Sequence, residues 1–130
     1  MRGADSGGAT SVLVIEDDKM LAEMYRQYLT ADGHSVCIAL DGEAGLVAAQ
    51  AQMPSVIYLD LQLPKLSGVQ VLERLRVMPD LKDIPVIILS NFSEPRLRQR
   101  CLMLGAVDYL VKAETRLAQV SQRARQAAAG

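Results

Sequence analysis

Two observations predict an α/β fold built on a parallel sheet. First, five short apolar runs alternate with stretches of helical spacing. The runs at Val12–Ile15, Val56–Leu59 and Val86–Leu89 show no polar alternation, as expected of strands covered on both faces. Second, polar residues stand just past or at the close of four runs: Glu16/Asp17, Asp60, Ser90 and Lys112. The carboxyl ends of parallel strands share one sheet edge, where ligands bind, so these distant residues are expected to meet.

Each element is read in turn. After the first strand, a helix is expected from Lys19 to Ala31, with Met20, Leu21, Met24, Tyr25, Tyr28 and Leu29 on its apolar face. Asp32-Gly33 ends it, Gly33 suiting a left-handed cap, and His34 follows as a turn residue. Ser35 to Ala39 forms the second strand, and Asp41-Gly42-Glu43 opens an Ala-rich helix running to Gln52, where Pro54 breaks the chain. The third strand ends at Asp60. Pro64 and Gly68 punctuate a loop before a helix over Val69–Val77, with Val69, Leu72 and Leu75 or Arg76 in register. Pro79 and Pro85 bracket a polar connector to the fourth strand. Ser93 is the expected N-cap of a helix with Leu97, Cys101 and Leu104 as its buried stripe. Gly105 stops it, Val107–Val111 is the fifth strand, and a last helix runs from Glu114 with Leu117, Val120, Ala124 and Ala127 or Ala128 inward. Right-handed crossovers and short links favour a flavodoxin-like, doubly wound (βα)5 sandwich, its five strands in the order 2-1-3-4-5.

The bulk properties agree. A chain of 130 residues that is 50% hydrophobic builds one core, and a net charge of −1 offers no footprint for direct nucleic-acid or membrane binding. No apolar run reaches bilayer length. Cys37 and Cys101 sit in apolar stretches and are expected as free thiols, which suits a cytoplasmic protein. Residues 1–10, rich in Gly, Ala and Ser and lacking a signal-peptide core, are expected as a loose tail before a domain over 11–130.

Three carboxylates, a hydroxyl and an ammonium at one edge suit a divalent cation and a phosphoryl group. Two like charges 4 Å apart cost about 4 kcal/mol at an effective dielectric near 20, so the cluster needs compensating cations. Lys112 supplies one charge, and Mg²⁺ would supply two more to oxygen ligands. Asp18 is expected to turn away and cap the first helix.

The motifs resemble those of the response-regulator receiver domain of two-component signalling, over about Ser11 to Ala128. Glu16-Asp17-Asp18 resembles the acidic pair after the first strand. Asp60-Leu61-Gln62-Leu63-Pro64, with Gly68 beyond, resembles the phosphoacceptor segment. Leu89-Ser90 resembles the hydroxyl position, and Tyr109-Leu110-Val111-Lys112 the switch aromatic and its lysine. Separations of 43, 30 and 22 residues between Asp17, Asp60, Ser90 and Lys112 fit as well. The resemblance implies that Asp60 is the phosphoacceptor, served by Ser90 and Lys112. It implies that Mg²⁺ is held by Asp17 and Asp60, by the Gln62 carbonyl, and by Glu16 through water. It also implies a switch formed by Ser90 and Tyr109, which biases a surface of fourth helix, fifth strand and last helix.

The implied donor is a histidine kinase or histidine phosphotransfer protein. The implied output is contact with an unidentified protein, or a homodimer through the switch surface, and no enzyme activity is expected. Only 18 residues follow Lys112, so the chain either signals by contact alone or is part of a longer protein. An unphosphorylated interaction module of the same fold is the alternative. The chain departs from the family in three places. Ala113 stands where a proline usually follows the lysine, Asn91 is larger than the usual residue after the hydroxyl, and Gln62 and Phe92 occupy variable positions flanking the site. Arg96, Arg98 and Arg100 with Arg116, Arg123 and Arg125 form either a solvated face or a docking surface bordering the switch.

Overall fold

The computed structural model of the chain describes residues 10–130. The expected tail falls on residues 1–9, outside the described residues, except for Thr10. That residue is buried, and its carbonyl accepts the Ser35 N–H at 2.8 Å. Five strands alternate with five helices: β1 (Ser11–Ile15), α1 (Lys19–Ala31), β2 (Ser35–Ala39), α2 (Gly42–Gln52), β3 (Val56–Leu59), α3 (Gly68–Val77), β4 (Val86–Ser90), α4 (Pro95–Met103), β5 (Asp108–Val111) and α5 (Leu117–Ala129). All four strand pairs are parallel, in the order β2-β1-β3-β4-β5, as the alternation predicts.

The period of two along each strand divides the core into two layers. Val12, Val14, Val56, Tyr58, Ile87, Leu89 and Leu110 face α1 and α5, meeting Tyr25, Leu29, Val120 and Ala124. Leu13, Ile15, Ile57, Leu59, Val86, Ile88 and Tyr109 face the other way, meeting Ala49, Val71, Leu72, Leu75 and Cys101 of α2, α3 and α4. Both faces of the central strands are covered, which is why their sequences lack alternation. Cys101 is buried, Cys37 is half-buried, and both are free thiols.

Helix ends follow local side-chain chemistry. Asp18 accepts the Leu21 N–H at 3.0 Å and Asp41 accepts the Ala44 N–H at 2.7 Å. Gly33 takes the left-handed conformation at φ 97° after α1. Several boundaries differ from expectation. Helix α3 begins at Gly68 rather than Val69, because Ser67 and Gln70 form a reciprocal capping box. Helix α4 starts at Pro95 with Glu94 as its cap residue, not Ser93, since a residue before proline is held extended. Strand β5 starts at Asp108, leaving Val107 55% exposed. The last helix starts at Leu117 rather than Glu114, because Lys112–Glu114 wind into a 3-10 turn. Met20 and Met24 of α1 are exposed, and Ala22, Tyr25 and Leu29 form its buried stripe instead.

His34 lies in the α1–β2 turn, yet it is buried. Its Nε2 lies 2.8 Å from Ser121 Oγ on α5. The Ser121 hydroxyl donates to Asp32, and Arg125 reaches Ser121 Oγ at 3.2 Å and the Asp32 carboxylate at 3.0 Å. This cluster fastens α5 to the sheet edge opposite Asp60. Tyr58, fully buried in β3, adds a second fastening by donating its hydroxyl to the Val120 carbonyl.

Burial lowers the His34 pKa below its ordinary value, Arg125 lowers it further, and Asp32 opposes them. The unfolded chain therefore takes up this proton first as pH falls. The His34 contribution is complete above the unfolded pKa of about 6.5 and declines as pH drops below it. His34→Gln is expected to reduce the loss in urea midpoint between about pH 7.5 and about pH 5.5 relative to the parent. Equal losses in both proteins would contradict this account.

Candidate functional site

Register brings the site together. Ile15 pairs with Leu59 across β1 and β3, so Glu16 and Asp60 leave the sheet side by side, with the Asp60 N–H donating to the Ile15 carbonyl at 3.0 Å. Ser90 pairs with Val111 across β4 and β5, which sets Lys112 beside Asn91 at the same edge. Glu16, Asp17, Asp18, Leu21, Asp60, Gln62, Asn91 and Lys112 line a cleft of about 330 Å³ there.

Within the cleft, one carboxylate oxygen from each of Glu16, Asp17 and Asp60 lies within 4.8 Å of the other two. Glu16 is 2% exposed and Asp60 5%, while Asp17 opens to solvent. The Lys112 ammonium sits between the two buried acids, 2.6 Å from Glu16 Oε1 and 3.3 Å from Asp60 Oδ2. Burial pushes the Glu16 carboxyl above its ordinary pKa, against the opposing pull of its hydrogen bond from Lys112. Burial also works against the Lys112 ammonium. The hydrogen bond to Glu16 and the charges of Asp60 and Glu16 outweigh it and hold this pKa above the usual lysine value.

Backbone donors orient the acids. The Asp18 N–H donates to Glu16 Oε2 at 3.1 Å, and the Gln62 N–H to Asp60 Oδ1 at 3.2 Å. Ser90 is fully buried, and its Oγ accepts the Phe92 N–H at 3.0 Å. Tyr109 is buried, donating its hydroxyl to the Phe92 carbonyl at 2.8 Å. The loop after β4 thus ties Ser90 to Tyr109 through one residue, Phe92. Burial raises the Tyr109 pKa, so the phenol stays a donor at neutral pH.

Three compensating features were not evident from residue types alone. The direct Glu16–Lys112 pair is the first, a contact that no sequence pattern signals. Asp18 steadies Glu16 through its backbone while its side chain caps α1, and only the cap had a sequence signal. Gly68 is the third: a Cβ there would lie 2.2 Å from the Asp60 carbonyl oxygen and 2.6 Å from Leu61 Cα. The Gly68 N–H donates to the Leu61 carbonyl at 3.0 Å, closing the loop tightly behind Asp60.

Residues 12–123 match the response regulator receiver domain. The chain belongs to this family. The receiver is 36% identical to the phosphate regulon transcriptional regulatory protein PhoB of Rhizobium meliloti over 101 residues, 78% of this chain and 44% of that protein. It is 40% identical to the transcriptional regulatory protein PrrA of Mycobacterium bovis over 107 residues, 81% of this chain and 45% of that one. The chain therefore spans about half the length of these curated relatives. Among solved structures, the receiver domain of the Francisella response regulator 1452 superposes with a TM-score of 0.85 at 28% identity, covering 92% of this chain and 97% of that one. The Mn²⁺-bound form of response regulator Rcp1 superposes with a TM-score of 0.74 at 28% identity, covering 90% of each chain. Among the described residues, no helix is long and apolar enough to cross a membrane.

Gly68→Ala is expected to destabilise this receiver by about 1–3 kcal/mol, because the added methyl must displace backbone rather than a flexible side chain. Chemical denaturation measures it; an unchanged midpoint would show that the loop behind Asp60 yields freely.

Proposed function

We propose that this receiver accepts a phosphoryl group on Asp60 from the phosphohistidine of a histidine kinase or histidine phosphotransfer protein. One observation carries the reading. Asp60 lies in a cleft open to solvent, flanked by two further carboxylates and touched by one lysine. In the transfer, the histidine N–P bond breaks as a P–O bond forms to the Asp60 carboxylate, and the histidine nitrogen keeps the electron pair. Little covalent chemistry falls to the receiver beyond the nucleophile, so positioning and charge compensation do the rest.

Asp60 is held in place by the Gln62 N–H. Lys112 lies within reach of the acceptor carboxylate, where its ammonium can pair with a phosphoryl oxygen. Ser90, at the end of β4, would donate its hydroxyl to another. The donor set fits a hard divalent cation: oxygen ligands only, two of the three acids buried, and a single ammonium against them. Asp17, Asp60 and the Gln62 carbonyl would hold Mg²⁺, with Glu16 engaging it through water. When bound, the ion supplies positive charge against the oxygens of the transferring group. That response regulator Rcp1 has a Mn²⁺-bound form supports divalent-cation binding by this receiver.

Phosphorylation would draw Ser90 toward the phosphoryl group and shift the Ser90–Phe92–Tyr109 connection. That shift would bias the surface formed by α4, β5 and α5, through which the domain would signal by protein contact or by pairing with a second copy. The role is that of a signalling module in the cytoplasm rather than a turnover enzyme. An unphosphorylated interaction module would leave the buried Glu16–Lys112–Asp60 arrangement without a use.

Asp60→Asn, which is isosteric, is expected to abolish phosphoryl uptake from acetyl phosphate with Mg²⁺ while leaving the melting curve close to the parent's. Phos-tag electrophoresis and intact mass report it. Labelling of the variant at the parent rate would place the acceptor elsewhere, and no labelled parent at any pH would favour the interaction module. Chelation of divalent ions by EDTA is expected to suppress the labelling of the parent in the same assay; uptake unchanged by EDTA would remove the metal from the reading.

A further inference from the structure

His34 is the chain's only histidine, and its ring is buried at the turn between α1 and β2. The hydrogen bonds around it decide which ring nitrogen carries the hydrogen. Ser121 has a single hydroxyl hydrogen, and the Asp32 carboxylate takes it. Toward every other neighbour Ser121 Oγ can therefore only accept. It accepts from Arg125 at 3.2 Å, and His34 Nε2 lies 2.8 Å away. Nε2 must then hold the ring hydrogen and donate it to Ser121, which leaves Nδ1 of the neutral imidazole as a bare lone pair.

Nδ1 is buried and has no hydrogen-bond partner among the described residues. A neutral lone pair in that position costs little. A proton on the same atom creates a charged N–H withdrawn from water and without an acceptor, which costs far more. The charged groups facing the ring come from the end of α1 and from α5. Asp32 favours the proton, but its Oδ2 is already bonded by Ser121 and lies 3.0 Å from Arg125. Arg125 opposes the proton, and its guanidinium is held in place by the Asp32 carbonyl at 2.6 Å. Burial, reinforced by Arg125, outweighs Asp32 and keeps the His34 pKa below its ordinary value.

Relief requires that Nδ1 reach water, and the two sides of the contact are not equally fixed. The turn is pinned by its backbone: the His34 N–H donates to the Leu29 carbonyl at 2.9 Å and the Ser35 N–H to the Thr10 carbonyl at 2.8 Å. Among the described residues, α5 bonds this corner only through Ser121 and Arg125. The bond from Tyr58 to the Val120 carbonyl holds the first half of α5 independently.

We propose that uptake of one proton at His34 Nδ1 releases Ser121 and Arg125 from the α1–β2 corner, so that mild acidification loosens the second half of α5 while the sheet stays folded. The step is one proton transfer from solvent to the Nδ1 lone pair, and no bond between heavy atoms changes. His34 lies at the amino end of β2, at the opposite end of the strands from the Glu16–Asp60–Lys112 cleft, so this latch works whether or not Asp60 accepts a phosphoryl group.

The test combines ring NMR with hydrogen exchange read by mass spectrometry on the full chain. At about pH 7.5 long-range nitrogen–proton spectra are expected to show the Nε2–H tautomer, and the ring to titrate below the ordinary histidine pKa of about 6.5. Between about pH 7.5 and about pH 5.5, protection over Ser121–Ala129, corrected for intrinsic exchange, is expected to fall by about threefold or more, with protection over Val71–Leu75 of α3 unchanged. His34→Gln keeps an N–H donor for Ser121 and does not titrate, so its α5 protection is expected to vary little with pH. If that variant does not fold, Ser121→Ala reads the same latch: its α5 protection is expected to be low already at about pH 7.5 and to change little on acidification. An Nδ1–H tautomer, titration at or above the ordinary value, equal losses of α5 protection in parent and His34→Gln, or equal losses in α3 and α5 would each overturn the proposal.

Discussion

The Lys112 ammonium between Glu16 and Asp60 is the contact on which the site depends. Parallel pairing of β1 with β3 leaves these two buried acids side by side whatever their chemistry prefers. Two carboxylates so placed repel by about 4 kcal/mol at 4 Å and an effective dielectric near 20, and burial adds a desolvation cost. Lys112 arrives from the far side of the sheet, two strands away, and offsets one charge. Its own burial is unfavourable and is tolerated because both acids bond it. The arrangement leaves an excess of negative charge in the cleft.

The same sheet that creates this strain also supports it. Two apolar layers cover the central strands and hold their register. The α5 helix is fastened at the opposite edge by the His34–Ser121–Asp32–Arg125 cluster and at mid-sheet by Tyr58. The loop behind Asp60 is closed by Gly68. The β4–α4 loop is lighter in construction, joined to the core through Phe92 contacts with Ser90 and Tyr109. Asp60 is therefore braced more heavily on the β1 side than on the β4–β5 side.

Family membership and site geometry are separate supports. The relatives share this domain over about half their lengths, and their whole-protein roles belong to them. The clustering of Asp17, Asp60, Ser90 and Lys112 at one edge comes from this chain's own strand register.

Patterning and local chemistry alone determined the element count, the parallel order, the cap role of Asp18, and which residues gather at the carboxyl edge. Those features follow from short-range rules: apolar runs bury, glycine and proline punctuate, and parallel strands end together. Boundaries set by competition between neighbours were less legible. Ser93 looked like a cap, but Pro95 imposed the start of α4, and the turn at Lys112–Glu114 delayed α5. Tertiary structure alone decided what each side chain met. Met20 had the spacing of a core residue and lies outside, His34 had the setting of a surface turn and is buried against Ser121, and Glu16 bonds Lys112 across 96 positions of chain. No local pattern encodes such contacts, because they exist only once the sheet has fixed the distances between elements.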